Sequence, residues 1–423
     1  MKSNNYISRS LETYAFDENL IGRHMIFLAG PRQVGKTMLA RNWLERKGCS
    51  SLYYNWDDIK TRRAYSSDSR FFESPARSLG GLPEPWIVFD EIHKRNHWRD
   101  ILKGVYDVFG KEFRFLITGS ARLDLFRRSG DSLVGRYNLF HMFPFNLSEI
   151  ASLKNPPCFL SQENFGTMVS NFEKQISRRL SPEINEAHTL FLRNGPFPEP
   201  FLRQNDRFCR KWHQDYLSLI VRQDLKDLTR VVELDKIEQL VSLLPSRVMF
   251  PLSMANLARE LEVAHTTVKK WLEQLKRLYL LFPVDPWTQK ISRGLRREKK
   301  WYFLDWYYVP EGPARLENMV ATNLNRACQT LTDRGYGLYR LYYVRTLDKK
   351  EIDFVVTKDR KPILCLEVKT GETNLSGTLK NRRKWFPDQS TLGVQIVDKR
   401  GTLQKFPDNT WVISVDRFLS LLD

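Results

Sequence analysis

Residues Met25–Glu45 read MIFLAGPRQVGKTMLARNWLE. Met25 to Ala29 is an apolar run of strand length, and Leu39, Ala40, Trp43 and Leu44 then recur at helical spacing. Between them stands Gly30-Pro31-Arg32-Gln33-Val34-Gly35-Lys36-Thr37, a G-x4-G-K-T turn that joins strand to helix. Such a turn is a phosphate cradle. Its glycines let successive backbone N–H groups curl around phosphate oxygens, and the helix N-terminus adds the positive end of its dipole. Lys36 is expected to reach the β- and γ-phosphates of ATP, and Thr37 to ligate Mg2+.

Downstream, WIVFDEI supplies four apolar residues, Trp86 to Phe89, and then Asp90-Glu91. An acid at a buried strand tip holds Mg2+ through water, and a second acid beside it polarises the attacking water. The pair therefore predicts hydrolysis rather than nucleotide binding alone. FRFLITGSAR predicts another strand, Phe113 to Ile117, ending in Thr118-Gly119-Ser120, where a hydroxyl can sense the γ-phosphate. Arg136 stands just before a fifth apolar strand, and Ser51 to Tyr54 adds one more. Strands alternating with helices predict a parallel, doubly wound α/β sheet. His93 and His97, four apart in HKRNHW, have helical metal-ligand spacing but no evident third ligand, so surface or supporting roles are expected.

At 423 residues the chain is expected to hold about two to four domains. No apolar run reaches the roughly 18 residues of a membrane span, and the N-terminus lacks the apolar core of a secretory signal. Five scattered cysteines with no CxxC pair argue against a disulfide framework or a zinc site and fit the cytoplasm. The net charge of +18 favours a polyanionic partner, nucleic acid before membrane. Between His265 and Lys300 ten Lys and Arg face three Asp and Glu, so net +7 falls in one short segment.

That segment has its own pattern. Met254, Leu257, Ala258 and Leu261 recur at helical spacing; after a turn near Val263, Val268, Trp271, Leu272, Leu275 and Leu278 recur again. The opposite face of the second helix shows Thr266, Thr267, Lys269 and Lys270, where a helix-turn-helix makes base and phosphate contacts. LYLLFPVDPW offers a wing, and KISRGLRREKK adds basic charge; protein docking is the competing use of such a module. Upstream, residues 151–192 turn polar and suit a small helical lid, the Gly/Pro loop RNGPFPEPF reads as a boundary, and KWHQDYLSLIVRQDLKDL reads as a helix.

Near the C-terminus, Glu351–Thr370 reads EIDFVVTKDRKPILCLEVKT. Ile363, Cys365, Glu367 and Lys369 alternate onto one face of a strand. If the hairpin folds symmetrically about Arg360, Asp353 lies opposite Glu367. The two carboxylates can then share a divalent ion while Lys369 holds a water or a phosphate oxygen.

The segments GPRQVGKT, IVFDEIH, FLITGSA, LVGR with the following FPFNLSE, and NGPFPEP make the chain resemble the AAA+ class of P-loop ATPases. More narrowly, it looks like a large prokaryotic family with an AAA+ core and a poorly characterised C-terminal domain. The resemblance implies an ATP site of Lys36, Thr37, Asp90 and Glu91, a sensor role for Thr118 or Ser120, a candidate arginine finger at Arg136 and homo-oligomers built through the core. A structural Arg capping the fifth strand is the competing reading of Arg136. The Asp-x(n)-Glu-x-Lys hairpin resembles the PD-(D/E)XK fold of restriction-endonuclease-like nucleases. That family has an upstream helical Glu, for which GPARLENMVATNLNRA offers Glu317, and here Ile352-Asp353 replaces its Pro-Asp.

The expected organisation is an AAA+ ATPase core over residues 1–150, a helical lid and connector over 151–245, a winged helix-turn-helix over 246–300 and a nuclease-like α/β domain over 301–423. Two functions remain open: an ATP-regulated deoxyribonuclease using Mg2+ or Mn2+ at Glu317, Asp353, Glu367 and Lys369, or a non-cutting ATP switch that binds DNA or protein.

Overall fold

A computed structural model of the chain describes residues 6–79, 84–119, 133–153, 158–228, 233–288, 298–345, 350–371, 373–387 and 390–422. The chain divides into two compact units, Met1–Pro144 and Phe145–Asp423.

The first unit is built on a parallel sheet of β1 (Met25–Ala29), β2 (Tyr53–Asn55), β3 (Trp86–Asp90), β4 (Arg114–Thr118) and β5 (Tyr137–His141), in the order β2-β3-β4-β1-β5. β1, β3 and β4 are buried along their whole length, which is why they read as unbroken apolar runs. Helices α1 (Lys36–Arg46) and α2 (Trp98–Phe109) belong to the crossovers. Strand boundaries differ slightly from the sequence reading: β4 starts at Arg114, one residue later than expected. Ser50–Leu52 winds a 3-10 turn, and β2 begins at Tyr53, two residues later than expected. In a parallel sheet the strands end at one edge, where ligands are met. The insertion of β4 between β1 and β3 sets Thr118 beside Asp90 on that edge.

The second unit holds an eight-stranded mixed sheet. Its strands are β6 (Leu281–Pro286), β7 (Lys300–Phe303), β8 (Tyr339–Arg345), β9 (Glu351–Lys358), β10 (Lys361–Lys369), β11 (Leu392–Val397), β12 (Leu403–Phe406) and β13 (Thr410–Ser414), in the order β12-β13-β11-β10-β9-β8-β6-β7. Ahead of it lie helices α3 (Phe165–Ile176), α4 (Pro182–Asn194), α5 (Asp206–Ser218), α6 (Leu234–Leu243), α7 (Met254–Glu260) and α8 (His265–Arg277). α8 buries Val268, Trp271, Leu272 and Leu275, the stripe expected of it. β6 and β7 form an antiparallel pair after it, where the sequence reading expected a wing, and β6 also pairs in parallel with β8 through Asp285–Tyr342 and Pro286–Tyr343. The pair therefore forms one edge of the eight-stranded sheet.

A 21-residue helix, α9 (Pro313–Asp333), is buried along most of its length. Its Asn318 accepts from the Phe303 N–H at 2.9 Å and donates to the Phe303 carbonyl at 2.7 Å. That amide satisfies the end of an edge strand and fixes β7 against α9. The two motifs FPFNLSE and NGPFPEP also meet, through Phe145 N–H to the Pro196 carbonyl at 2.9 Å. Among the described residues no helix is long and apolar enough to cross a membrane.

Candidate functional site

Gly30 and Gly35 hold φ +151° and +103°, backbone that glycine takes without cost. A Cβ on Gly30 would stand 2.2 Å from the Met142 carbonyl oxygen, because the chain leaving β5 backs the turn. Arg9 braces it from the N-terminus, donating to the Val34 carbonyl at 3.0 Å and to the Phe143 carbonyl. Pro31 and Gln33 complete the bend, Gln33 at φ +59°. Lys36 is buried and donates to the carbonyls of Gly30 at 3.0 Å and Pro31 at 2.6 Å. Burial lowers its pKa to about 8; Glu91 and Asp90 oppose that shift and Arg32 adds to it.

Asp90 ends β3 almost fully buried. Three hydroxyls from three elements converge on it. Thr37 Oγ1 donates to Oδ2 at 2.9 Å, the Tyr53 hydroxyl donates to the same oxygen, and Thr118 Oγ1 donates to Oδ1. A hydroxyl and a carboxylate this close are an oxygen pair of the kind Mg2+ prefers, so the residues fit that ion. Glu91 follows at φ +58°, its N–H bonded to the Thr118 carbonyl at 3.0 Å. Its carboxylate lies 3.4 Å from Lys94 Nζ and 3.5 Å from His93 Nε2. Burial raises the Glu91 pKa above the ordinary carboxylate range; Lys94 and Lys36 oppose this and Asp90 adds to it.

The two histidines are not brought together as a metal pair. His93 is buried beside Glu91, whereas His97 is exposed at the start of α2 and faces Asp100 at 3.9 Å. Arg136 is bidentate to Asp107 of α2, at 2.7 and 3.2 Å. Its neighbour Tyr137 pairs with Met25, so Arg136 sits at the opposite end of the sheet from the cradle, about 16 Å away at some 3.3 Å per residue. It cannot reach its own chain's phosphates. Ser120 and most of KISRGLRREKK lie outside the described residues.

In the second unit the hairpin turns at Asp359 and Arg360, both left-handed at φ +49° and +70°. Lys361 pairs with Lys358, and an irregularity between Pro362 and Leu364 shifts the register so that Leu364 faces Val356 and Leu366 faces Phe354. One step further, Asp353 comes level with Glu367, as the sequence predicts. Asp353 Oδ2 accepts from the Val368 N–H at 2.8 Å. Glu367 is buried, its Oε2 3.6 Å from Lys369 Nζ, and its Oε1 has no hydrogen-bond partner among the described residues. Burial, with Asp353 adding, raises its pKa to about 7.

Glu317 has partners that the sequence reading did not include. Its Oε1 accepts from the Tyr302 hydroxyl at 2.7 Å and lies 3.5 Å from Lys300 Nζ. Among the described residues no group of three or more His, Cys, Asp or Glu is placed to hold a metal ion. Tyr302 and Lys300 both meet the same Glu317 oxygen, and burial, with Asp353 adding and Lys300 opposing, raises the Glu317 pKa above the ordinary carboxylate range. On α8, Thr266, Lys269 and Lys270 are exposed and Thr267 is half-buried.

Sequence reasoning missed Arg9, Tyr53, Lys300 and Tyr302. The one signal available was a lysine heading the apolar run KWYFL, where a strand has no use for a charge unless it is paired.

Residues 22–151 match a family model described as an AAA domain. Residues 186–306 and 314–418 match two models each described as a domain of unknown function, DUF8612 and DUF4143. The chain is 25% identical over 366 residues to an uncharacterized protein of Mycobacterium tuberculosis, covering 84% of this chain and 73% of that one. To an uncharacterized protein of Methanocaldococcus jannaschii it is 26% identical over 394 residues, covering 86% and 79%. Among solved structures, the Aeropyrum pernix ORC1 protein in complex with DNA aligns at 14% identity and a TM-score of 0.28, covering 66% of this chain and 83% of that one. The replication initiator DnaA bound to AMPPCP and single-stranded DNA aligns at 13% and 0.30, covering 64% and 90%. The P-loop unit is of the AAA type, on a parallel α/β sheet.

Proposed function

We propose that the chain is a Mg2+-dependent ATPase that binds DNA and couples ATP binding or hydrolysis to a C-terminal domain of PD-(D/E)XK-like fold. The observation that carries the first part is the Thr37–Asp90 pair under the cradle, with Glu91 one residue beyond. Bound Mg2+ would supply charge neutralisation at the phosphates. The chain's residues do the rest. Lys36 meets the β- and γ-phosphates, Asp90 and Thr37 are the residues that would hold the ion, and Thr118 holds Asp90 in place. Glu91, lifted by burial, takes the proton of the attacking water. Arg136 acts only from a neighbouring copy, which fits a homo-oligomer built through the AAA unit.

The exposed Thr/Lys face of α8, together with the net +7 around it, supports DNA contact. In the C-terminal domain, Glu317, Asp353, Glu367 and Lys369 are the residues that cleavage with Mg2+ or Mn2+ would use. The engagement of Glu317 by Tyr302 and Lys300 favours the second reading, an ATP switch whose C-terminal domain binds without cutting.

Phosphate release with and without Mg2+, in the wild type and Lys36→Ala, tests the ATPase. Turnover that survives Lys36→Ala overturns it. Plasmid incubated with Mg2+ or Mn2+, with and without ATP, separates the two C-terminal readings: nicking abolished by Asp353→Asn supports the nuclease, and an intact plasmid supports the switch.

A further inference from the structure

Lys300 is a lysine with no solvent exposure, on an edge strand, in the middle of the acidic residues of the second unit. Its Nζ is ion-paired with Glu351 Oε1 at the start of β9 and lies 3.5 Å from Glu317 Oε1 on α9. The Tyr343 ring stands 5.4 Å away on a third side. The two acids come from elements far apart in sequence, and each turns toward the same ammonium. A buried charge persists only when paired, and three elements here share one pairing.

We propose that Lys300 is the built-in cation of this acidic set: its ammonium takes the bridging position between Glu317 and Glu351 that a divalent ion would otherwise fill, so that Glu317 is not a metal ligand. The proposal rests on the reading of Asp353 and Glu367 as the metal-type pair, with Asp353 also close enough to act on Lys300 and Glu317. Burial works against the ammonium, but Glu317, Asp353 and Glu351 outweigh it and hold Lys300 above the ordinary lysine range. The neighbouring Tyr302 hydroxyl donates to the same Glu317 oxygen at 2.7 Å. Asn318, next to Glu317 on α9, bonds the Phe303 backbone and so ties the far end of β7 to the helix that carries Glu317. The consequence is chemical. A fixed ammonium neutralises carboxylates as a metal does, but it cannot exchange, cannot be chelated and offers no open coordination position for water. The domain keeps its acids together in any metal concentration.

The test is rescue by a metal. Thermal melting of the full chain is measured in EDTA and in Mn2+ for the wild type, Lys300→Ala, Lys300→Arg and Lys300→Ala/Glu317→Gln. The P-loop is the same in all four, so differences report on the C-terminal unit. Lys300→Ala is expected to melt lower than the wild type in EDTA and to recover in Mn2+, since a ligand that binds only the folded state stabilises it. The double variant and Lys300→Arg should show no more Mn2+ response than the wild type. A folded Lys300→Ala with only the wild-type response overturns the proposal. If Lys300→Ala does not fold, a second measurement leaves the lysine alone: Mn2+ titration of Glu317→Gln by calorimetry. Its Mn2+ binding should match the wild type within about twofold, and a loss of about tenfold would make Glu317 a ligand and overturn the proposal. Asp353→Asn in the same titration tests the metal-type pair. If the wild type binds Mn2+ and Asp353→Asn retains all of it, the reading of that pair fails while the assignment of Lys300 stands.

Discussion

Replacing Glu91 by glutamine removes one charge and keeps the shape of the side chain. The backbone there sits at φ +58°, a region that costs a non-glycine residue about 1 kcal/mol or more. Glutamine carries the same cost, so the variant should fold as the wild type does. Binding should also survive, because Lys36, Thr37 and Asp90 are untouched. What is lost is the acceptor for the proton of the attacking water. A positioned base contributes about 10²-fold or more, so turnover should fall by at least about 2.7 kcal/mol of barrier. Two features of the site argue that the effect is not smaller. Burial raises the Glu91 pKa above the ordinary carboxylate range, which makes it the stronger base, and Lys94 at 3.4 Å and His93 at 3.5 Å fix its direction. The pH profile gives a second readout. Glu91 must be ionised to act, and its pKa is raised, so wild-type turnover should fall as pH drops through a value above the ordinary glutamate range. The residual rate of Glu91→Gln should lack that acidic limb. The assay is phosphate release at saturating Mg-ATP over a pH series, with affinity followed by a fluorescent nucleotide. Turnover within about threefold of the wild type, or an acidic limb that persists in the variant, would refute the assignment and move the base elsewhere.

Four further outcomes follow from the same geometry. Tyr53→Phe deletes one of two donors to Asp90 Oδ2; with Thr37 retained and the tyrosine half-exposed, ATP turnover should drop about five- to tenfold, and no change would make Tyr53 a packing residue only. Arg136→Ala should lower turnover without lowering ATP affinity if neighbouring copies share sites, whereas a fall in melting temperature at unchanged turnover leaves only the Asp107 ion pair. Lys269→Ala with Lys270→Ala should weaken DNA binding and flatten log K against log salt by roughly one unit per lost phosphate contact; undetectable binding at low salt, or an unchanged double variant, would make α8 a protein-docking face. Glu367→Gln should stabilise the protein at pH 8 but not at pH 5, measured in EDTA. A carboxyl raised to about 7 when folded favours the folded state fully below its unfolded pKa and loses that advantage as pH rises through 7. The swing is on the order of 3 kcal/mol at most, and equal melting shifts at the two pH values would contradict it.

What the sequence determined by itself is what short spacing controls. Gly30 to Thr37, flanked by a strand run and a helix run, could be little other than a phosphate cradle, because seven bonds of chain dictate where its N–H groups point. Asp90-Glu91 at a strand tip, the buried stripe of α8 and the pairing of Asp353 with Glu367 were legible for the same reason: each is set by period or by register within a few residues. The hairpin reading survived a two-residue turn at Asp359 and Arg360 only because the irregularity after Pro362 restores the register before the acids. What the tertiary structure alone decided is which distant group stands next to each of these. Tyr53 reaches Asp90 because β2 lies beside β3, and Thr118 does because β4 inserts between β3 and β1. Arg9 braces Val34 across 25 residues, Arg136 turns out to face Asp107, and Lys300 claims Glu317 because β7 is pinned to α9. These contacts join elements whose sequence separation carries no period, so no local pattern encodes them. They follow from which faces must be buried together, and that is settled only when the whole core closes.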